Sequence, residues 1–157
     1  MPKYQIEVKS VPDQMIGCIR DLAKNYQSVG PLYEELMVEL DKHNLEIAGP
    51  AFGIFYDEEY TDHDVDVEVA LPVKADSEMD GGRFKVRILD GHKTMASLTR
   101  VGPWDDFSGA YQSLMEWLQS EGWRIIGPNR EIYLKGPESG APAAEYVVEI
   151  QFPVVKA

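Results

Sequence analysis

The chain has 157 residues, 44% of them hydrophobic and 27% charged, with a formal net charge of −12. That length and balance support one well-buried core, or two small halves sharing one, and exclude a disordered chain. The carboxylate surplus opposes the counter-ion release on which nucleic-acid binding depends, and no basic run or helix-turn-helix pattern offsets it, so no nucleic-acid partner is expected.

The opening segment "MPKYQIEVKS" lacks the apolar core of a signal peptide, and no apolar run is long enough to cross a bilayer. Cys18 is the only cysteine, which excludes an intrachain disulfide and a Cys-rich zinc site. A cytoplasmic protein with no membrane partner and no cofactor is expected.

Residues 16–19 read as a strand, and Gly30-Pro31 then opens a helix. Pro31 suits the first helical position, Glu34 and Glu35 suit the first turn, and Leu32, Leu36, Met37 and Leu40 form an apolar stripe. A second Gly-Pro at 49–50 leads into two strands. The later one sets Val65, Val67, Val69 and Leu71 against Asp66 and Glu68 and closes on Leu-Pro-Val. "KADSEMDGGR" follows as a polar connection with a turn at Gly81-Gly82.

The frame is then written again. Residues 95–98 match 16–19, and Gly102-Pro103 opens a second helix with Asp105 and Asp106 in its first turn. Phe107, Tyr111, Leu114 and Leu118 supply its stripe, and Gly122 is placed to end it. Gly127-Pro128 leads to the strand "REIYL", and Tyr146, Val148, Ile150 and Phe152 alternate with Glu149 and Gln151 up to a closing Phe-Pro-Val. An internal repeat of this kind predicts an α+β fold of two tandem β-α-β-β repeats, about 4–73 and about 84–155. The two would be related by a pseudo-two-fold axis in a single domain, with an antiparallel sheet, two helices and a central groove. A seam between packed halves favours a ligand pocket.

Aligning the second Gly-Pro of each copy sets Gly53 against Glu131 and Phe55 against Tyr133. The framework is shared but the carboxylate is not. Glu131 shares a strand face with Tyr133, while Ile132 and Leu134 share the other. Its absence from the first copy argues for a site rather than for the fold.

The double unit, the segment "GPNREIYLKGP" and the closing "EYVVEIQFPV" resemble the GyrI-like family, which is similar to the effector-binding domains of AraC-type and MerR-type multidrug-sensing regulators. The resemblance runs from Tyr4 to Val155. It implies an aromatic groove between the halves with a glutamate, matched by Glu131, at its floor. A lipophilic, often cationic small molecule would bind there. The sequence departs from the pattern in having no DNA-binding module and in placing Lys135 in the turn 135–137, which bears on the electrostatics of the pocket mouth.

Tyr33, Phe52, Phe55, Trp104, Tyr111, Tyr133 and Tyr146 join Glu131 as the candidate ligand-binding residues, since ring faces attract cations by about 0.5–2 kcal/mol each. Phe107 and Trp123 read as core. Some relatives resemble hydrolases that open strained cyclopropane-type DNA-alkylating compounds, and in that alternative Glu131 is the catalytic general base. A further alternative, taken from the family name and the acidic surface, is a protein partner, gyrase or a regulator. His63 within "DEEYTDHDVDVE" reads as part of a solvated hairpin loop rather than a metal site. No serine, nor Cys18, carries a nucleophile motif, and no Gly-rich phosphate loop is present.

Overall fold

A computed structural model of the chain describes residues 3–57 and 63–157. In chain order the strands and helices are β1 (Lys3–Val11), β2 (Gln14–Ala23), α1 (Gly30–Lys42), β3 (Glu46–Ile47), β4 (Phe52–Phe55), β5 (Val65–Lys74), β6 (Met79–Gly81), β7 (Phe84–Leu89), β8 (His92–Val101), α2 (Ser108–Glu121), β9 (Trp123–Ile125), β10 (Asn129–Lys135) and β11 (Val147–Lys156). The fold is α+β, and every strand pairing described below is antiparallel.

Two compact units divide the chain, one formed by Pro12–Gly91 and one by the N-terminal strand to Val11 together with His92–Ala157. In the first, the strand order is β4-β5-β2-β7-β6, with β3 on β5. In the second, it is β10-β11-β8-β1, with β9 on β11. Each unit therefore carries the same four-strand path and one helix. The repeated element has one strand more than the β-α-β-β pattern suggests. The first copy takes β7 from beyond its last strand, and the second takes β1 from the start of the chain. The segment 79–81 forms a short strand of the β6–β7 hairpin rather than a connection, with Gly82 at φ +86° in its turn.

Helix α1 buries Leu32, Leu36 and Leu40 against Ile19, Val67, Val69 and Val73. Removing such leucine side chains from water stabilises the unit by about 1.5–3 kcal/mol each. Gly17 allows the helix to sit close, because a Cβ there would stand 2.6 Å from Leu40 Cδ2. Met37, expected in the stripe, is instead 47% exposed, since its position turns away from the line through 32, 36 and 40. Glu34 and Glu35 fall one turn later than expected, as α1 begins at Gly30.

Helix α2 buries Ala110, Leu114 and Leu118 against Ala96, Leu98, Ile150 and Val154. It starts at Ser108, not beside Pro103. The backbone from 102 to 107 is held in a loop by Arg100, which donates to Pro103 O at 2.5 Å and to Asp105 Oδ1 at 2.9 Å. Asp106 Oδ1 accepts from Ser108 N at 2.9 Å and serves the helix start from outside it. Phe107 is half-buried with the Arg100 guanidinium 5.0 Å from its ring, and Trp123 is half-buried beneath Lys156 Nζ. Gly122 ends α2 at φ +75°, ψ +36°. Gly122→Ala is expected to cost about 1 kcal/mol, read as a lower urea midpoint at unchanged slope.

Among the described residues no helix is long and apolar enough to cross a membrane, and no group of three His, Cys, Asp or Glu side chains converges as a metal site. The acidic stretch 58–62 beside His63 lies outside the described residues.

Candidate functional site

The alternation of β5 and β11 predicts charged residues opposite the core face, and three glutamates are in fact buried. Glu68 in β5 and Glu149 in β11 occupy equivalent positions. Glu68 accepts from Arg87 Nη2 at 2.6 Å, Arg87 Nε at 3.2 Å and Tyr56 Oη at 2.6 Å. Glu149 accepts from Ser97 Oγ at 2.7 Å and Gln151 Nε2 at 2.9 Å, and pairs with Lys9 Nζ at 2.6 Å. Burial raises both carboxyls, but these partners outweigh it and hold each below the usual carboxylate range. Both are neutralised, fully bonded members of the shared framework.

Glu131 is different. It projects from β10, opposite Ile150 of β11, on the sheet face that packs against α2. Tyr111 Oη from α2 donates to its Oε2, and Tyr133 Oη donates to its Oε1 at 3.1 Å. Asn129 Nδ2 donates to Tyr111 Oη at 2.9 Å, completing a chain of donors that ends on the carboxylate. Among the described residues no Lys or Arg forms an ion pair with Glu131. Burial is the largest influence on its acidity and raises the pKa, while the two phenols only partly oppose it. The site thus holds a desolvated carboxyl whose charged form is stabilised by hydroxyl dipoles and no cation.

Aromatic rings extend from it. Trp104 lies 5.4 Å from Tyr133 and 5.5 Å from Tyr146, centroid to centroid, in tilted contacts. Tyr111 meets Phe152 edge-on at 6.1 Å. The indole is seated against the backbone of Gly136, where a Cβ would stand 2.3 Å from Trp104 Cη2. Its Nε1–H is buried and finds no acceptor among the described residues. An unsatisfied buried donor costs about 1–3 kcal/mol, which a ligand acceptor would recover.

The corresponding place in the unit of residues 12–91 is filled. Gly53 pairs with Val69 as Glu131 pairs with Ile150, and Tyr33 of α1 stands where α2 carries Tyr111. A Cβ on Gly53 would lie 3.2 Å from Phe55 Cε2 and 3.3 Å from Tyr33 Oη, so ring and hydroxyl occupy the carboxylate's space. Phe55 is in the core of that unit, and Phe52 is buried on β4.

Of the residues singled out in the sequence, Glu131, Tyr133, Tyr111, Trp104 and Tyr146 come together in one unit. Tyr33 and Phe55 meet over Gly53 in the other, and Phe52 lies apart from them on the opposite face of β4. Asn129 and Gly136 escaped sequence reading. Asn129 is two residues before Glu131, and only the fold brings its amide to the Tyr111 hydroxyl. For Tyr111→Phe, loss of one donor to a buried carboxylate is expected to raise the Glu131 pKa further, measured by carbon-detected NMR titration of the side-chain carboxyl.

Two antiparallel units on one repeated plan, one of which keeps a buried glutamate among aromatic rings, are the architecture of a small-molecule binding domain. The GyrI-like small molecule binding domain matches residues 4–155, and the chain belongs to that family. Among solved structures it is similar to the EcmrR C-terminal domain, with 25% identity, a TM-score of 0.83, and coverage of 98% of this chain and 99% of that one. It is also similar to EcmrR in a complex with DNA, with 26% identity and a TM-score of 0.88; there 98% of this chain is covered but only 58% of the longer EcmrR chain. A hydrolase from Listeria innocua shares the fold at 18% identity and a TM-score of 0.65, with coverage of 98% and 93% of the two chains. No curated protein sequence matches the chain.

Proposed function

We propose that the chain binds amphipathic small molecules bearing a delocalised positive charge, with Glu131 as the counter-ion and Trp104, Tyr111, Tyr133 and Tyr146 as the aromatic surround, for sensing or sequestration. The observation that carries this is the contrast among the three buried glutamates. Glu68 and Glu149 have cationic partners from the chain; Glu131 has two phenols. A buried carboxylate without a cation is costly to the fold, and its retention in one copy alone is explained by a partner that arrives from solution. The rings add cation–π attraction and exclude water.

The structure of SAV2435 bound to tetraphenylphosphonium, 17% identical with a TM-score of 0.55, shares the fold and suggests a probe. Calorimetric titration with tetraphenylphosphonium, beside the neutral triphenylphosphine oxide, tests the reading. Saturable binding with a clear preference for the cation is expected. Equal affinities would remove the charge-recognition argument.

A second reading draws on the raised pKa of Glu131. With Tyr111 and Asn129 behind it, the carboxylate can take a proton from a water as that water bonds to a strained cyclopropane carbon. The cleaved C–C pair then passes into a conjugated carbonyl, which takes up a proton. Ring-opened product from such an electrophile, formed by wild type and not by Glu131→Gln, would place hydrolysis ahead of binding.

A further inference from the structure

A second constellation lies wholly within the unit of residues 12–91, on the sheet face opposite α1. Arg20 of β2, Lys85 and Arg87 of β7, and Arg83 with Gly82 at the β6–β7 turn line an open cleft of about 470 Å³, together with Cys18, Tyr56 and Glu68. Three cations, Arg20, Lys85 and Arg87, thus share one cleft, with Arg83 at its edge, in a chain with only 15 Lys and Arg residues and a net charge of −12. The only carboxylate in the lining, Glu68, is neutralised by Arg87.

The arginines are held in one particular way. Arg20 gives Nε and Nη2 to Asp66 at 3.0 and 2.8 Å, and Arg87 gives the same edge to Glu68. Arg83 gives Nε and Nη2 to Glu35, and its Nη2 also meets Asp21 at 2.7 Å. In each case the carboxylate fixes the Nε–Nη2 edge; for Arg20 this leaves Nη1 without a protein partner among the described residues, while Arg87 also meets the Cys18 side chain. Asp66 is not part of the lining and orients the Arg20 guanidinium from outside the cleft, whereas Glu35 of α1 and Asp21, on the same face of β2 as Ile19, engage the Arg83 guanidinium on the α1 side of the sheet, so Arg83 only borders the cleft. Arg20 also stacks 3.7 Å over the Tyr56 ring, and Tyr56 is anchored on Glu68, so neither is free to swing away. Lys85 Nζ is more loosely held, 3.3 Å from Asp80 Oδ2.

The repeat separates framework from site here too. Glu68, Arg87 and Cys18 correspond by strand register to Glu149, Lys9 and Ser97, and a carboxylate–cation pair beside a small residue is common to both units. Arg20 and Lys85 correspond instead to Thr99 and Glu7. The additional cations are therefore not required by the sheet. Cys18 plays no reactive part, since burial, with Glu68 nearby, pushes its thiol up to about 12.

We propose that this cleft is a second ligand site that binds a small polyvalent anion bearing phosphate groups. Preoriented guanidinium N–H pairs match the oxygen geometry of phosphate, and the volume suits a phosphorylated small molecule. Inorganic pyrophosphate is the probe, titrated calorimetrically at constant ionic strength, with succinate as the dicarboxylate comparator. Wild type is expected to bind pyrophosphate saturably with one site. Arg20→Gln and Lys85→Gln, both at exposed positions, are expected to weaken it by about tenfold each while leaving the melting temperature within a few degrees. In nitrogen-edited spectra, the side-chain signals of Arg20 and Arg87 are expected to shift on binding. A titration flat to millimolar pyrophosphate, affinity unchanged in both variants, or equal binding of succinate would each overturn the assignment.

Discussion

Glu131→Gln is expected to lower affinity for tetraphenylphosphonium about ten- to a hundredfold at neutral pH, and at the same time to make the ligand-free protein more stable. The first effect follows from removing a desolvated charge that faces a ligand cation, worth roughly 1.5–3 kcal/mol. The second follows from the same burial. Glutamine keeps the shape and accepts from one tyrosine while donating to the other, but carries no charge that must be desolvated. Triphenylphosphine oxide should bind the variant as well as wild type or better. A solvated surface glutamate would show neither change.

The pH dependence has a definite sign. Burial raises the folded-state pKa of Glu131 above the ordinary value of 4.5. Between those two values the folded protein holds a proton that the unfolded chain has released, so this group's contribution to stability falls as pH rises through that window. Above the folded pKa it stays at its lower level. Glu131→Gln should therefore match wild type below pH 4.5 and exceed it at pH 8. The advantage should appear as a melting temperature that exceeds wild type at pH 8 and not below pH 4.5. Binding of a cation should run the other way, strengthening as pH rises and releasing a proton, visible as buffer-dependent heats in calorimetry. Affinity independent of pH between 5 and 8 would mean that Glu131 does not titrate with the ligand.

The repeat explains why so much could be read from the chain. Gly53 and Glu131 could be compared only because Gly-Pro, the helix stripe and Pro-Val recur at matching positions, and strand register bears the comparison out through Val69 and Ile150. Alternation along β5 and β11 identified the faces but not the burial of the polar one, because periodicity reports which residues lie together and not what covers them. Glu68 and Glu149 look solvated in sequence, and their partners Arg87 and Lys9 come from β7 and β1, distant strands that complete the sheets. The start of α2 at Ser108, later than the Gly-Pro signal predicts, has a local reason. Gly102-Pro103 copies Gly30-Pro31, but Arg100 captures the following backbone before helical bonding can begin.

Gly136 illustrates the contacts that no pattern reveals, and its substitution should have the largest effect of any small change near the site. The residue is extended, with φ −141° and ψ −159°, so alanine would meet no backbone strain there. The obstacle is the Trp104 ring, with Cη2 at 2.3 Å and Cζ3 at 2.5 Å from the added methyl. The indole must withdraw, and with it the contacts to Tyr133 and Tyr146. Overpacking of this kind costs about 1–3 kcal/mol. Because Tyr133 also donates to Glu131, displacement of the ring reaches the carboxylate as well. Gly136→Ala is therefore expected to lower the melting temperature by several degrees, shift Trp104 fluorescence, and weaken tetraphenylphosphonium binding about tenfold or more. Combining Gly136→Ala with Trp104→Ala separates the causes. The double variant should regain the stability lost through overpacking, relative to Trp104→Ala alone, without regaining affinity. If Gly136→Ala destabilises as much with Trp104 absent as with it present, the indole is not what the glycine makes room for.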